Sequence, residues 1–304
     1  IRTGFRSFVS PIKIGPHSSY NLQECSMSRL KFTLMLLVSS FLSPGLEQAT
    51  AQDKEFEPDR KITFKTIGDV ELQLHVFEKV SDRANRPAIV FFFGGGWNGG
   101  SPSQFYPHCQ HLADMGFVAM SAEYRVKSRN NSTPFDCVAD GKSALRWVRS
   151  HAKELGIDPN KLVAGGGSAG GHVAAAVATV PGLNAETDPK DVSCVPNALV
   201  LFNPVYDNGP TGYGYSRVKD RYKEISPLHN IRDGMPPAIV FLGTKDTLIP
   251  VSTGELFKEK MKAAGSDSVL KLYEGEPLGF FNQNKGDGSN YRDTVAAMDE
   301  FLKK

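Results

Sequence analysis

An α/β fold, with a mostly parallel sheet covered by helices on both faces, is predicted by three observations. Short, continuously apolar runs recur from residue 88 onward, helix-length stretches fall between them, and glycine-rich turns follow two of the runs. With 304 residues, 40% of them hydrophobic and 22% charged, the chain can form one large domain, and its composition is that of an ordered protein.

In chain order, the first methionine is Met27, and the stretch from it, MSRLKFTLMLLVSSFLSPGLEQATAQ, reads as a secretory leader. Arg29 and Lys31 give a positive start, residues 32–42 an apolar run, and Ala49, Thr50 and Ala51 a small-residue cleavage site. Residues 1–26 are then expected to lie upstream of the true start, 27–51 to be the leader, and 52–304 to be a single domain that is periplasmic or secreted. An apolar run of 11 residues falls short of the roughly 20 that a membrane span needs, so no stable anchor is expected. Residues 1–51 hold five basic and two acidic side chains, which leaves a formal balance of −1 in the remainder. That charge gives no reason to invoke a nucleic-acid or anionic-membrane partner, and none is expected.

Cys109, Cys137 and Cys194 remain after the leader. An exported chain permits a Cys109–Cys137 disulfide, and three small buried thiols fit equally well. No CxxC motif or Cys/His cluster points to a metal, and no cofactor is implied.

Alternation in KITFKTIGDVELQLHVF, residues 61–77, predicts two antiparallel strands joined at Gly68 and Asp69. Buried strands follow at 88–93, 117–122, 161–166, 197–203, 238–243 and 269–274, with helices at 103–115, 135–154, 169–180, 252–265 and 291–303. Residues 204–237 break the rhythm. They are rich in Gly, Pro and Tyr, and form an irregular excursion over the strand ends, either lining a binding site as long loops often do or serving as a plain surface crossover.

The stretch VAGGGSAGGHVAAAVATV runs from strand through tight turn to helix and fits two chemistries. Gly165, Gly167 and Gly170 satisfy GxGxxG, a dinucleotide fingerprint with Asp188 as its ribose acid; Gly166, Ser168 and Gly170 satisfy GxSxG, a nucleophile elbow. Four strands precede this turn, whereas a fingerprint belongs in the first strand-to-helix turn of its unit, and Asp188 lies in a Pro-rich loop. Position therefore favours the elbow. In it Ser168 would stand at a helix N-terminus, with the N–H of Ala169 aimed where an oxyanion forms. Glycines after the 88–93 strand let backbone approach a ligand oxygen, so the amides of Gly95 and Gly96 are further oxyanion candidates. Asp246, in a loop after the 238–243 strand, stands where the acid of a Ser, Asp, His order belongs.

Taken together, FGGGW, AEYRV, DGKSALRWVRSHAKELGIDPNKLVAGGGSAGGHVAA, GTKDTLIP and YEGEPLGFFN resemble the α/β-hydrolase superfamily, in particular its HGGG-type carboxylesterases, hormone-sensitive-lipase-like and feruloyl or acetylxylan esterase-like, across residues 60–304. The resemblance implies an α/β-hydrolase fold, Ser168 as nucleophile, Asp246 as acid, and Gly95, Gly96 and Ala169 as the oxyanion hole. It also implies scaffold roles for Asp140 and Arg146 and a structural role for His172. A small-molecule or glycan ester would be the substrate; Trp97, Tyr206, Tyr213, Tyr215 and Tyr222 could form a sugar-stacking rim or be ordinary loop aromatics, the reading that the sequence favours.

Two departures stand out. Phe93 replaces the histidine that opens HGGG, and Leu278 occupies the catalytic His position. A serine hydroxyl needs a base to take its proton, and leucine cannot serve; no histidine follows His229, and a carboxylate such as that of Glu276 is in general a poor base for an alcohol unless burial makes it more basic. Three explanations remain open. The chain is a non-catalytic ligand-binding pseudoenzyme, or codon 278 is misread, since His and Leu codons differ by one middle base, or another residue acts as base.

Overall fold

The computed structural model describes residues 56–81 and 83–303. The upstream and leader readings of residues 1–51 lie outside the described residues. In chain order the elements are β1 (Arg60–Ile67), β2 (Val70–Phe77), β3 (Arg86–Phe92), a 3-10 turn (Pro102–Phe105), α1 (Tyr106–Asp114), β4 (Val118–Ala122), α2 (Lys127–Asn130), α3 (Pro134–Ser150), β5 (Ile157–Gly167) and α4 (Ala169–Thr179). After these come β6 (Ala198–Phe202), α5 (Tyr215–Val218), two 3-10 turns, β7 (Ala238–Gly243), α6 (Val251–Ala263), β8 (Ser268–Tyr273) and α7 (Ser289–Leu302).

The eight strands form one sheet in the order β1-β2-β4-β3-β5-β6-β7-β8. The hairpin β1–β2 pairs antiparallel and β2 joins β4 antiparallel; every later pairing is parallel. Side chains alternate along a strand, so the continuous apolar runs serve both faces. Val90, Phe92, Val240 and Leu242 pack with α3, α4 and α6, whereas Ile89, Phe91, Ile239 and Phe241 pack with α1 and α7. The expected α/β-hydrolase arrangement is thus present, and residues 204–237 contain nothing longer than short helical turns.

Local sequence explains the helix starts that matter for the site. Thr133 and Asp136 form a reciprocal capping box around Pro134, which holds α3 in place under the sheet. Asp140 on α3 is fully buried and bonded to Lys65 Nζ at 2.8 Å and Arg125 Nε at 2.8 Å, tying the hairpin to the loop after β4. The three described cysteines are free and buried, which corrects the Cys109–Cys137 pairing. Cys109 packs on the α1 face of the sheet and Cys137 on the α3 face, so the sheet itself separates them.

Candidate active site

Ser168 stands between β5 and α4 at φ 54°, ψ −119°, a strained conformation for a residue with a side chain. Strain of this kind persists only when neighbours over-determine the backbone. Here the Ser168 N–H donates to the Phe202 carbonyl at 3.0 Å, and the Ser168 carbonyl accepts from His172 N at 3.0 Å and Val205 N at 3.2 Å. Gly166 is required because a Cβ there would meet the Gly170 carbonyl at 2.5 Å and the Phe92 carbonyl oxygen at 2.7 Å. The start of α4 can therefore seat directly against the end of β3. Among the described residues the Ser168 hydroxyl has no hydrogen-bond partner.

The loop after β3 comes to the same place. Gly94 donates its N–H to Gln104 Oε1 at 2.6 Å, while the chain turns at Gly95, φ 124°, and the amides of Gly95 and Gly96 carry no acceptor among the described residues. Gly95, Gly96, Ser168, Asn203 and Leu278 line one open cavity of about 870 Å³. Ala169 is fully buried at the first turn of α4, where an N–H lacks an intrahelical acceptor.

Asp246 stands apart from the lining but next to it. Its Oδ1 accepts from the amides of Leu248 and Ile249, each at 2.9 Å, and Leu248 lines the cavity. Its Oδ2 is buried with no partner. Burial pushes the carboxyl above its ordinary range, against the pull of the two amides. The acid loop and the loop after β8 are laced together: Lys245 N–H donates to the Glu276 carbonyl at 3.0 Å and Gly275 N–H to Thr244 Oγ1 at 2.8 Å. Leu278 sits in the second of these loops, half-buried against the core and in the cavity wall.

Neither a histidine nor a carboxylate lines the cavity among the described residues. Glu276 is not in the wall, and His172 is fully buried beneath it. Its Nε2 faces Asn208 Oδ1 at 3.0 Å and the Ile225 carbonyl at 3.1 Å, its ring meets Trp97 edge-on, and burial lowers its pKa to about 4. Asp188 is engaged elsewhere. It accepts from Arg146 Nη1 at 2.9 Å and Ser143 Oγ at 2.6 Å, which removes it as a ribose acid and leaves the dinucleotide alternative without its acidic partner. Phe93 is buried, stacked on Tyr124 at 4.3 Å, and serves packing.

The aromatic rim does not assemble. Of Trp97, Tyr206, Tyr213, Tyr215 and Tyr222, only Tyr213 lines the cavity; Trp97 and Tyr206 are core residues, the latter stacked on Phe257 at 4.1 Å. Sequence reasoning also missed three amides. Gln104 Nε2 donates to Asn282 Oδ1 at 3.1 Å, Asn282 Nδ2 to the Gly279 carbonyl at 2.7 Å, and Gly279 N–H to Asn203 Oδ1 at 3.1 Å. Asn203, at φ 34°, is buried with its Nδ2 unpartnered. Polar amides in loops are too common to have marked these positions in advance. Among the described residues no cluster of His, Cys, Asp and Glu could hold a metal, and no helix is long and apolar enough to cross a membrane.

Comparison with known proteins gives a consistent result. Residues 74–199 match the BD-FAE family model and residues 209–304 the dienelactone hydrolase family model. Esterase 2 of Thermogutta terrifontis, solved phosphoramylated by tabun, superposes with a TM-score of 0.78 at 47% identity, covering 82% of this chain and 95% of that one. Esterase LipC of Mycobacterium tuberculosis is 30% identical over 77% of this chain and 63% of its own, and the acetylxylan esterase of Xylanibacter ruminicola 27% identical over 76% and 48%. The chain thus spans about half to just under two thirds of the length of these curated relatives.

Proposed function

The chain belongs to the α/β-hydrolase superfamily of esterases, and on that premise we propose that it is a serine carboxylesterase-type hydrolase for short-chain acyl esters, its turnover impaired by Leu278. The observation that carries this is Ser168. It has a strained backbone, an unengaged hydroxyl and two free glycine amides in the wall of the same cavity. Those are the parts that attack an ester carbonyl and hold the resulting oxyanion.

The missing part is the base. Attack moves the Ser168 hydroxyl proton to an acceptor and a later step delivers it to the leaving alcohol, and an imidazole at position 278 would do both. The bare, buried Oδ2 of Asp246 is what such an imidazole would bond to, and Leu278 leaves it unused. Removing a triad base costs on the order of 10⁴ to 10⁶ in turnover, with about 10³ to 10⁴ over water remaining from oxyanion stabilisation and binding.

A non-catalytic ligand-binding protein on the same scaffold is the second reading, favoured by the absence of any imidazole or carboxylate in the wall. A single test separates the two. On the esterase reading Leu278→His raises hydrolysis of p-nitrophenyl acetate by at least about 10⁴-fold, and Ser168→Ala then removes the gain. A Leu278→His protein that stays inert would leave the binding reading. Short acyl groups fit better than a stacked sugar, because Tyr213 alone of the rim candidates reaches the cavity. The leader reading makes the protein periplasmic or secreted, and N-terminal mass spectrometry of the exported chain checks cleavage near residue 52.

A further inference from the structure

The wall of the cavity carries charge of one sign. Arg217 and Lys285 are its only charged side chains, and among the described residues neither has an ion-pair partner. Arg221, one turn further along the same excursion, is by contrast neutralised by Glu224 at 2.7 Å. Arg217 is also held in position. One guanidinium N–H donates to the Gly96 carbonyl, in the loop that offers the free amides, and the group lies over the Trp97 ring at 5.6 Å. A side chain already immobilised this way loses little further freedom on binding, and its other N–H donors keep the fork geometry that grips a carboxylate. The amides of Gln283 and Asn284 and the hydroxyl of Tyr213 stand in the same wall, so an anion would meet several hydrogen-bonding groups and no repelling carboxylate.

We propose that the cavity takes an ester bearing a second, anionic group, a carboxylate in the simplest case, with Arg217 as the residue that selects it and Lys285 as support. This rests on reading the cavity as an ester site. The anionic group would lie in the mouth while the scissile carbonyl lies at Ser168 and the glycine amides. Neutral short-chain esters would fit the same space without that grip. A single well-placed charge-assisted contact accounts for about a tenfold preference, equivalent to about 1.4 kcal/mol.

The test uses matched ester pairs with the Leu278→His protein: 4-acetoxybenzoate against phenyl acetate, with the anion on the alcohol side, and monoethyl glutarate against ethyl butyrate, with it on the acyl side. The expected result is an anionic-to-neutral ratio of kcat/KM of about ten in at least one pair at low salt, carried by KM and shrinking in 0.5 M NaCl. That ratio should fall toward one in Arg217→Met, fall less in Lys285→Met, and be partly kept in Arg217→Lys. A ratio at or below one in both pairs, or a preference that survives both methionine substitutions, overturns the proposal. Should Leu278→His hydrolyse none of the four esters, the esterase reading has failed on its own. The selectivity is then read on the unaltered chain by saturation-transfer NMR, where 4-acetoxybenzoate must bind better than phenyl acetate and lose that advantage in Arg217→Met. Equal binding of the two there overturns it.

Discussion

One side of the cavity, Ser168 with the amides of Gly95 and Gly96, is held by backbone: strand ends, a helix start and glycines that allow close approach. The other, Asp246 with the 276–282 loop, is held by side chains, and at its centre a carboxylate oxygen has no partner and a leucine fills the wall. The backbone shape of the first rests on several contacts at once. The second is undone by a single residue. Backbone geometry is enforced by many contacts that no one substitution removes, whereas a proton relay depends on one side chain in each role.

If that contrast is correct, the largest effect comes from refilling position 278. Leu278→His should raise kcat for p-nitrophenyl acetate by about 10⁴ to 10⁶, with no movement of the nucleophile half needed. A gain below about tenfold would mean that the backbone half is not competent either. Within that variant, Ser168→Ala should return hydrolysis to the background and end labelling by a fluorophosphonate; continued labelling would place the nucleophile elsewhere.

The buried histidine under the elbow gives a pH test of the first half. The folded pKa of His172 lies near 4, below the 6.5 of an unfolded histidine, so the unfolded chain takes up the proton first as pH falls. Stability should therefore be lost between about pH 6.5 and 4, by about 3 kcal/mol from this residue, and His172→Gln should flatten the slope in urea unfolding. His108, lowered to about 3 by burial, adds a parallel loss that remains in the variant. An unchanged slope would show that His172 is charged or solvated in the fold.

Gln104 joins the two halves, and Gln104→Ala should lower kcat/KM of the Leu278→His protein by about tenfold, through loss of a bond at Gly94 and of support at Asn282. If KM and kcat are both untouched, the loops hold themselves. The smallest effect lies at the acid. Its raised pKa means that the folded state disfavours the ionised carboxylate, a cost present above that pKa and relieved as pH falls through it. Asp246→Asn should accordingly raise Tm at pH 7, with the gain vanishing at acid pH. In the Leu278→His background the sign should reverse, since an imidazolium would then pair with the carboxylate. The same sign in both backgrounds would separate Asp246 from position 278.

Much of this was determined by the sequence alone: the strand runs, the crossover helices, the elbow glycines around Ser168 and the leucine in place of a base. These are local patterns, set by chain stereochemistry and by the two-residue and 3.6-residue periods of burial. Only the tertiary structure decided which polar groups meet. It engaged Asp188 with Arg146, kept Cys109 and Cys137 on opposite faces, withdrew four of five aromatics from the cavity and bridged Gln104 to Asn282 across 178 residues of chain. Such pairings depend on how distant segments close on one another, and an amide or a guanidinium carries no trace in its own neighbourhood of the partner it will find.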